Sequence, residues 1–293
     1  MYVNLFLNLT KRKTHAMIKP VLKGEIGVIR LIASDLDGTL LEKDGTLPAG
    51  IFDMVERLTR MGITFAAASG RQYSNLVRLF GPVAHQMAFV CENGAYNVID
   101  GQEAGVIGMS PEDVRECIAD LEERKMNLLV SGKQCCYMLD RNRKFTDDIV
   151  YRLRNTVTIV RSWNEITEPI IKVSGQCDCG VADFAPALVE KWHGRLTATV
   201  SGKEWFDFTF ANKGMGIEAL IKHMGITAEE AVAFGDNYND ESMFSCVGYP
   251  FLMEHADPAL RKSRILICPK VLPVLRQIAD AKGNPDKAFE DYR

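Results

Sequence analysis

Short, almost wholly apolar runs alternate with amphipathic helices at both ends of this chain, and the alternation stops in the middle. Residues 28–34 read as an apolar strand. Residues 48–62 read as a helix, with Ile51, Phe52, Val55, Leu58 and Met61 at helical spacing and Gly62 as its stop. A second strand over 63–70 ends in small residues, a helix follows over 71–81, and 86–95 form a third strand leading into a turn. Strand and helix repeated in this way build a parallel sheet with crossover helices. Strands without a polar side belong to a sheet covered on both faces.

From Tyr96 the pattern changes. A hairpin-like piece surrounds Gly101, and a helix opens at Ser110-Pro111, a capping residue followed by proline at the first helical position. Strand candidates follow at 127–131 and 135–139, then a helix near 146–155, a β-rich run at 166–175, a helix over 182–193 and strands near 195–209. The first pattern returns with a helix ended by Gly225, the run Ala231–Phe234, and helices near 240–247 and 271–281. The expected fold is α/β: a parallel-sheet core at 1–96 and 201–293 with helices on both faces, interrupted by an inserted α+β domain at 97–200. Residues 1–27 read as a basic extension, with Met17 as an alternative start, and the polar stretch 283–293 is expected to fray.

Composition narrows the function classes. At 47% hydrophobic and 25% charged residues the chain can bury a core, and a formal net charge of -3 supplies no field for nucleic acid. No apolar run is long enough to cross a bilayer, and the apolar start VNLFLNL precedes its basic residues, the reverse of a signal peptide. A cytoplasmic location is therefore expected. Eight cysteines make no Cys-x-x-Cys pair and the five histidines have no metal-binding spacing, so reduced structural thiols are expected.

The chemistry concentrates at strand ends. Asp35-Leu36-Asp37-Gly38-Thr39 follows the first strand. Residues two apart on a strand share a face, so Asp35 and Asp37 are expected to project together from the carboxyl end of the sheet, where α/β folds bind ligands. Two adjacent carboxylates call for a compensating cation, and a hard, oxygen-seeking ion such as Mg²⁺ fits. Ser69-Gly70-Arg71 follows the second strand, where a hydroxyl and turn N–H groups can cradle phosphate. Lys213, after Asn212, offers a point cation, although a lone lysine is more often solvent-facing. Asp236 follows the Ala231–Gly235 run as a third carboxylate, and Asn239 and Asp240 lie where they can cap a helix or touch ligand.

Taken in order, the phrases DLDGTLL, AASGR, CENGA, NKG and GDNYND resemble the haloacid dehalogenase (HAD) superfamily of phosphatases, and most closely its Cof-type branch, subfamily IIB. The resemblance covers nearly everything from Leu31 to Ile278. It implies a Rossmann-like core with a mobile C2-type cap inserted after the third core strand, and a Mg²⁺-dependent phosphatase acting on a small phosphorylated metabolite of sugar-phosphate or cofactor-phosphate type. It further implies that Asp35 is the nucleophile that becomes an aspartyl-phosphate. Asp37 would be the acid and base, with its backbone carbonyl on Mg²⁺. Ser69, Gly70, Lys213 and Asn239 would surround the phosphate, and Asp236 would complete the protein carboxylates on the metal. Asp240, Arg71, Asn93, Gly94 and Asn212 would support the metal shell or border the substrate. A phosphotransferase or phosphomutase would use the same intermediate, and a non-catalytic phospho-ligand-binding protein could share the fold. The chain departs from the family pattern at His255, where asparagine is usual, and at Ser263-Arg264 and Cys268-Pro269, positions that border the site. The physiological substrate and the oligomeric state are not legible in the sequence.

Overall fold

The computed structural model describes residues 27–292. Apart from Gly27, the basic extension and Met17 lie outside the described residues. The chain opens with β1 (Leu31–Ser34), α1 (Ile51–Arg60), β2 (Thr64–Ala68), α2 (Tyr73–Phe80) and β3 (Ala88–Cys91). In α1 the residues Ile51, Met54, Val55 and Leu58 are buried, the three-four spacing of a helix lying on a sheet. Then come β4 (Tyr96–Ile99), β5 (Gln102–Val106), α3 (Pro111–Glu123), β6 (Asn127–Gly132), β7 (Cys136–Leu139), α4 (Arg143–Asp147), β8 (Val157–Val160), β9 (Ile170–Gln176), α5 (Ala185–Trp192), β10 (Thr197–Val200) and β11 (Trp205–Thr209). The last part comprises α6 (Lys213–Met224), β12 (Ala231–Gly235), α7 (Glu241–Phe244), β13 (Tyr249–Met253), β14 (Leu266–Cys268), α8 (Val271–Asp280) and α9 (Pro285–Ala288).

Two sheets result. The larger runs β14-β13-β12-β1-β2-β3-β4-β5, and its strands are parallel from β14 to β3. Strand β1 lies where the winding reverses, with β2 and β3 laid down on one side and β12 to β14 on the other, so a crevice opens beyond its carboxyl end. The smaller sheet runs β10-β11-β9-β6-β7-β8. Helices α3 and α5 cover one of its faces, burying Leu121, Leu188 and Trp192 against Val130, Val173, Phe206 and Phe208. Alternation along the same strands turns Ser131, Lys172, Ser174 and Asp207 to the opposite face. Ser131 and Ser174 are nevertheless fully buried there.

The exchange of sheets falls at different places from the expected junctions near 96 and 200. The β4–β5 hairpin continues the larger sheet antiparallel to β3, and β11 pairs with β9 and β10 in the smaller one. The chain therefore leaves the larger sheet after Val106 and returns to it through α6. A hairpin's local pattern is the same whichever sheet it extends, which is why the sequence could not assign it.

Two local expectations are corrected. Cys177 and Cys179 form a disulfide, while the other six cysteines are free thiols. Strand β9 ends at Gln176 and the chain turns, bringing the two Cα atoms to 5.3 Å, within bridging range. The tail is also ordered: Phe289 is fully buried, with its ring 5.2 Å from Phe251 and 4.9 Å from Tyr249. Phe289→Ala should therefore lower the unfolding free energy by about 3–5 kcal/mol, the range for removing a buried aromatic. Urea denaturation measures this, and an unchanged midpoint would show that the tail does not belong to the core.

Candidate active site

The register of the larger sheet assembles the site. Ser34 lies beside Ala67 of β2 and Phe234 of β12, so Asp35, Ser69 and Asp236 leave the carboxyl ends of three adjacent strands at nearly one level. The Asp35 N–H donates to the Phe234 carbonyl at 2.9 Å, fixing the exit from β1. Gly38 then turns with φ +85°, and a Cβ there would lie 2.3 Å from Asp236 Oδ2, so only glycine fits. Thr39 donates to the other Asp236 oxygen at 3.0 Å.

Carboxylate oxygens of Asp35, Asp236 and Asp240 lie within 4.8 Å of one another. Lys213, buried as the first residue of α6, donates to Asp35 Oδ1 at 2.5 Å and to Asp240 Oδ1 at 2.6 Å. The second Asp240 oxygen accepts the N–H groups of Asp236 at 3.0 Å and Asn237 at 3.1 Å. Burial pushes the Asp35 carboxyl up to about 7 against the lowering pull of Lys213, and burial also raises Asp236. Burial works against the Lys213 ammonium as well, but Asp35 and Asp240 outweigh it and hold its pKa above the usual lysine value. One ammonium thus faces three carboxylates. That imbalance and the all-oxygen donor set suit a divalent cation, so the cluster is able to coordinate one.

Asp37 stands apart from this cluster. β1 ends at Ser34, so strand alternation does not govern residues 35 to 37. The Asp37 side chain is 65% exposed and accepts from Arg71 at 2.6 Å, while Asp35 is buried on Lys213. Asp240, expected as a supporting residue, instead supplies the third clustered carboxylate. Ser69 is buried and its hydroxyl accepts the Arg71 N–H at 3.3 Å. The Ser69 carbonyl accepts the Asn93 N–H at 3.0 Å, and Gly70 lies against the Asn93 amide. Gly94, at φ +94°, packs so tightly on the Asn212 carbonyl that a Cβ would lie 2.1 Å from it. Asn212 caps α6 by accepting from Met215 at 3.0 Å, so this close approach bears directly on where Lys213 sits. Asn239 is exposed at the edge, its carbonyl accepting from Ser242 at 3.4 Å. His255 is also exposed, with Nε2 3.9 Å from Asp236 Oδ2.

Several residues near the site carried no signal in the sequence. Glu92 is buried with φ +50°, the first of three consecutive left-handed residues ending at Gly94, a strained segment of the kind found at functional sites. Its carboxylate meets Lys172 of β9 as a close ion pair without hydrogen-bond geometry. Burial raises the Glu92 pKa against Lys172, and Glu92 and Asp207 hold the Lys172 pKa up against burial. Glu92 adjoins Asn93 in the CENGA phrase, but its partner arrives from the other sheet, 80 residues later, and no spacing rule could link them.

The haloacid dehalogenase-like hydrolase family matches residues 32–271, and the chain belongs to that family. It is 27% identical over 237 residues to the 5-amino-6-(5-phospho-D-ribitylamino)uracil phosphatase YbjI of Escherichia coli K12, covering 79% of this chain and 88% of that protein. It is 24% identical over 268 residues to an HMP-PP phosphatase of Klebsiella pneumoniae, covering 86% and 91% of the two chains. The subclass IIB sugar phosphatase BT4131 superposes with a TM-score of 0.66 at 19% identity, over 90% of this chain and 98% of that one. The protein is thus a HAD-type hydrolase, and it is similar in sequence and fold to phosphatases of subclass IIB. No helix among the described residues is long and apolar enough to cross a membrane.

Proposed function

We propose that the chain is a Mg²⁺-dependent phosphatase of small phosphorylated metabolites in which Asp35 forms an aspartyl-phosphate. The observation that carries this is the Lys213 ammonium held between Asp35 and Asp240 within the acidic cluster. Asp35 attacks phosphorus in line with the leaving oxygen. Lys213, the Ser69 hydroxyl and the N–H groups of the 69–71 turn meet the phosphoryl oxygens, where charge accumulates. Asp37, steadied by Arg71, gives its proton to the departing alcohol and then takes one from the water that opens the acyl phosphate. The carboxylates of Asp35, Asp236 and Asp240 would hold Mg²⁺, which when bound neutralises phosphoryl charge. The smaller domain meets the core beside this site, through contacts such as Lys172 with Glu92 and Cys136 with Gln72, where it would serve as a cap that closes on substrate. The relatives named above are phosphatases of a phosphorylated ribitylaminouracil, of HMP-PP and of sugar phosphates, which supports a small phosphorylated metabolite as the substrate class.

Phosphate release from a panel of small phosphomonoesters tests the reading. Turnover is expected with Mg²⁺ and should fall at least about a hundredfold in EDTA, given the several kcal/mol such an ion supplies. Folded protein that releases phosphate equally well in EDTA would remove the metal from the proposal.

A further inference from the structure

A cavity of about 650 Å³ lies between α2 and the smaller sheet. Its near end is walled by Gly70 and Arg71, and Arg71 also holds Asp37. Ser131, Cys136 and Lys172 of the smaller sheet line it on one side, and Gln72 at the start of α2 and Glu92 after β3 line it on the other. Ser131, Cys136, Gln72 and Glu92 are buried, and three of them bond one another, Gln72 donating to Cys136 Sγ at 2.8 Å with the Ser131 hydroxyl 3.3 Å from the same sulfur. A cavity of this size with charged and polar walls suits a polar guest.

The charges around the cavity are uneven. Arg71, Arg78, Arg152 and Lys172 line it against the single carboxylate of Glu92. Three of the cations have anionic partners: Arg71 has Asp37, Lys172 has Glu92, and Arg152 has Asp148. Arg78 is different. Among the described residues its exposed guanidinium donates to the neutral Asn75 side-chain oxygen at 3.1 Å and the Arg154 carbonyl at 3.2 Å, and no carboxylate pairs with it. It lies in the last turn of α2, about 9 Å of helical rise from the Gln72 cap that begins beside the Ser69-Gly70 turn. No aromatic side chain is among the residues that line the cavity, so its walls favour hydrogen-bonding and charged groups over ring-on-ring stacking.

Resting on the phosphatase reading, we propose that this cavity receives the leaving group, and that the leaving group is a hydroxylated chain or sugar ending in a second anion bound by Arg78. The Lys172 ammonium, paired with Glu92, meets the hydroxyl groups between the two ends. A guanidinium recognises a terminal phosphate and a terminal carboxylate by the same paired N–H donors. A helix six residues long from cap to Arg78 suits an ester whose two anions are separated by a five- or six-carbon backbone.

The test uses the full chain with Mg²⁺ and two matched pairs of esters. Fructose 1,6-bisphosphate is compared with fructose 6-phosphate, and 6-phosphogluconate with glucose 6-phosphate. The wild type should favour the doubly anionic member of at least one pair in kcat/KM by about tenfold, the worth of one charge-assisted contact. The pair showing the preference tells whether the second anion is phosphate or carboxylate. Arg78→Gln should bring that ratio close to one, and Arg78→Lys should restore part of it. Equal turnover within both pairs, or a preference that survives Arg78→Gln, would overturn the inference while leaving the phosphatase reading intact. Failure to hydrolyse any of the four esters or the small-ester panel would remove both.

Discussion

Asp35→Asn is expected to eliminate phosphate release, by about 10⁴-fold or more, while the protein remains folded. The amide keeps the shape of the carboxylate but cannot attack phosphorus, and the loss of a covalent nucleophile is among the largest single effects in an active site. The folded state should tolerate the change. Asp35 is a buried carboxylate whose pKa burial already pushes to about 7, and Lys213 retains Asp240 as an anionic partner at 2.6 Å. Circular dichroism and the thermal midpoint should therefore remain close to wild type. Mass spectrometry of protein quenched during turnover adds a second readout. Wild-type protein should carry the mass of one phosphoryl group on the peptide containing Asp35, and the variant should carry none. Appreciable turnover by a properly folded Asp35→Asn protein would show that another group attacks phosphorus.

Lys213→Met should damage both stability and catalysis, and for one reason. Lys213 is the ammonium bonded to both Asp35 and Asp240, and none of the three is appreciably exposed. Removing one partner of a buried ion pair leaves uncompensated charge in a poorly solvating interior, a cost of about 3–5 kcal/mol. Catalysis should fall by about 10³-fold as well, because a preorganised donor to the transferred phosphoryl group is lost. Lys213→Arg should not rescue turnover. A planar guanidinium cannot replace a compact ammonium where α6 begins against the Gly94 turn. Urea denaturation in EDTA isolates the protein's own contribution, and a midpoint equal to wild type would mean that the lysine does not hold the cluster together.

The contrast between Lys213 and Lys172 shows what a sequence can and cannot convey. Lys213 stands in a short phrase with Asn212 and Gly214, between a strand and a helix, and that context marked it despite the weak prior on any lone lysine. Lys172 lies inside a strand, in Ile-Lys-Val-Ser, where alternation alone assigns it to a solvent-facing side. The second sheet face is not solvent-facing, because it looks toward the larger sheet, and that fact resides in the packing of two domains. Asp37 illustrates a related limit. Period-two reasoning placed it beside Asp35, but the strand ends one residue before Asp35 and the two carboxylates take different partners, Arg71 and Lys213. Phe289 was hidden for another reason: its segment is polar in composition, and one buried ring is enough to anchor it.

The sequence by itself determined the α/β core, the presence of an inserted domain, the class of chemistry, and the residues that end β1, β2 and β12. Those properties depend on short-range patterns, apolar runs meeting carboxylate, hydroxyl and glycine, which local sterics and periodicity make legible. Only the tertiary structure decided where the chain changes sheets, that Asp240 rather than the Asp37 side chain joins Asp35 and Asp236, that Cys177 pairs with Cys179, and that Glu92 meets Lys172 beside a cavity also lined by Arg78. Each of these depends on strand register or on contacts between distant segments, and such contacts are set by the packing of the whole chain, which local sequence does not encode.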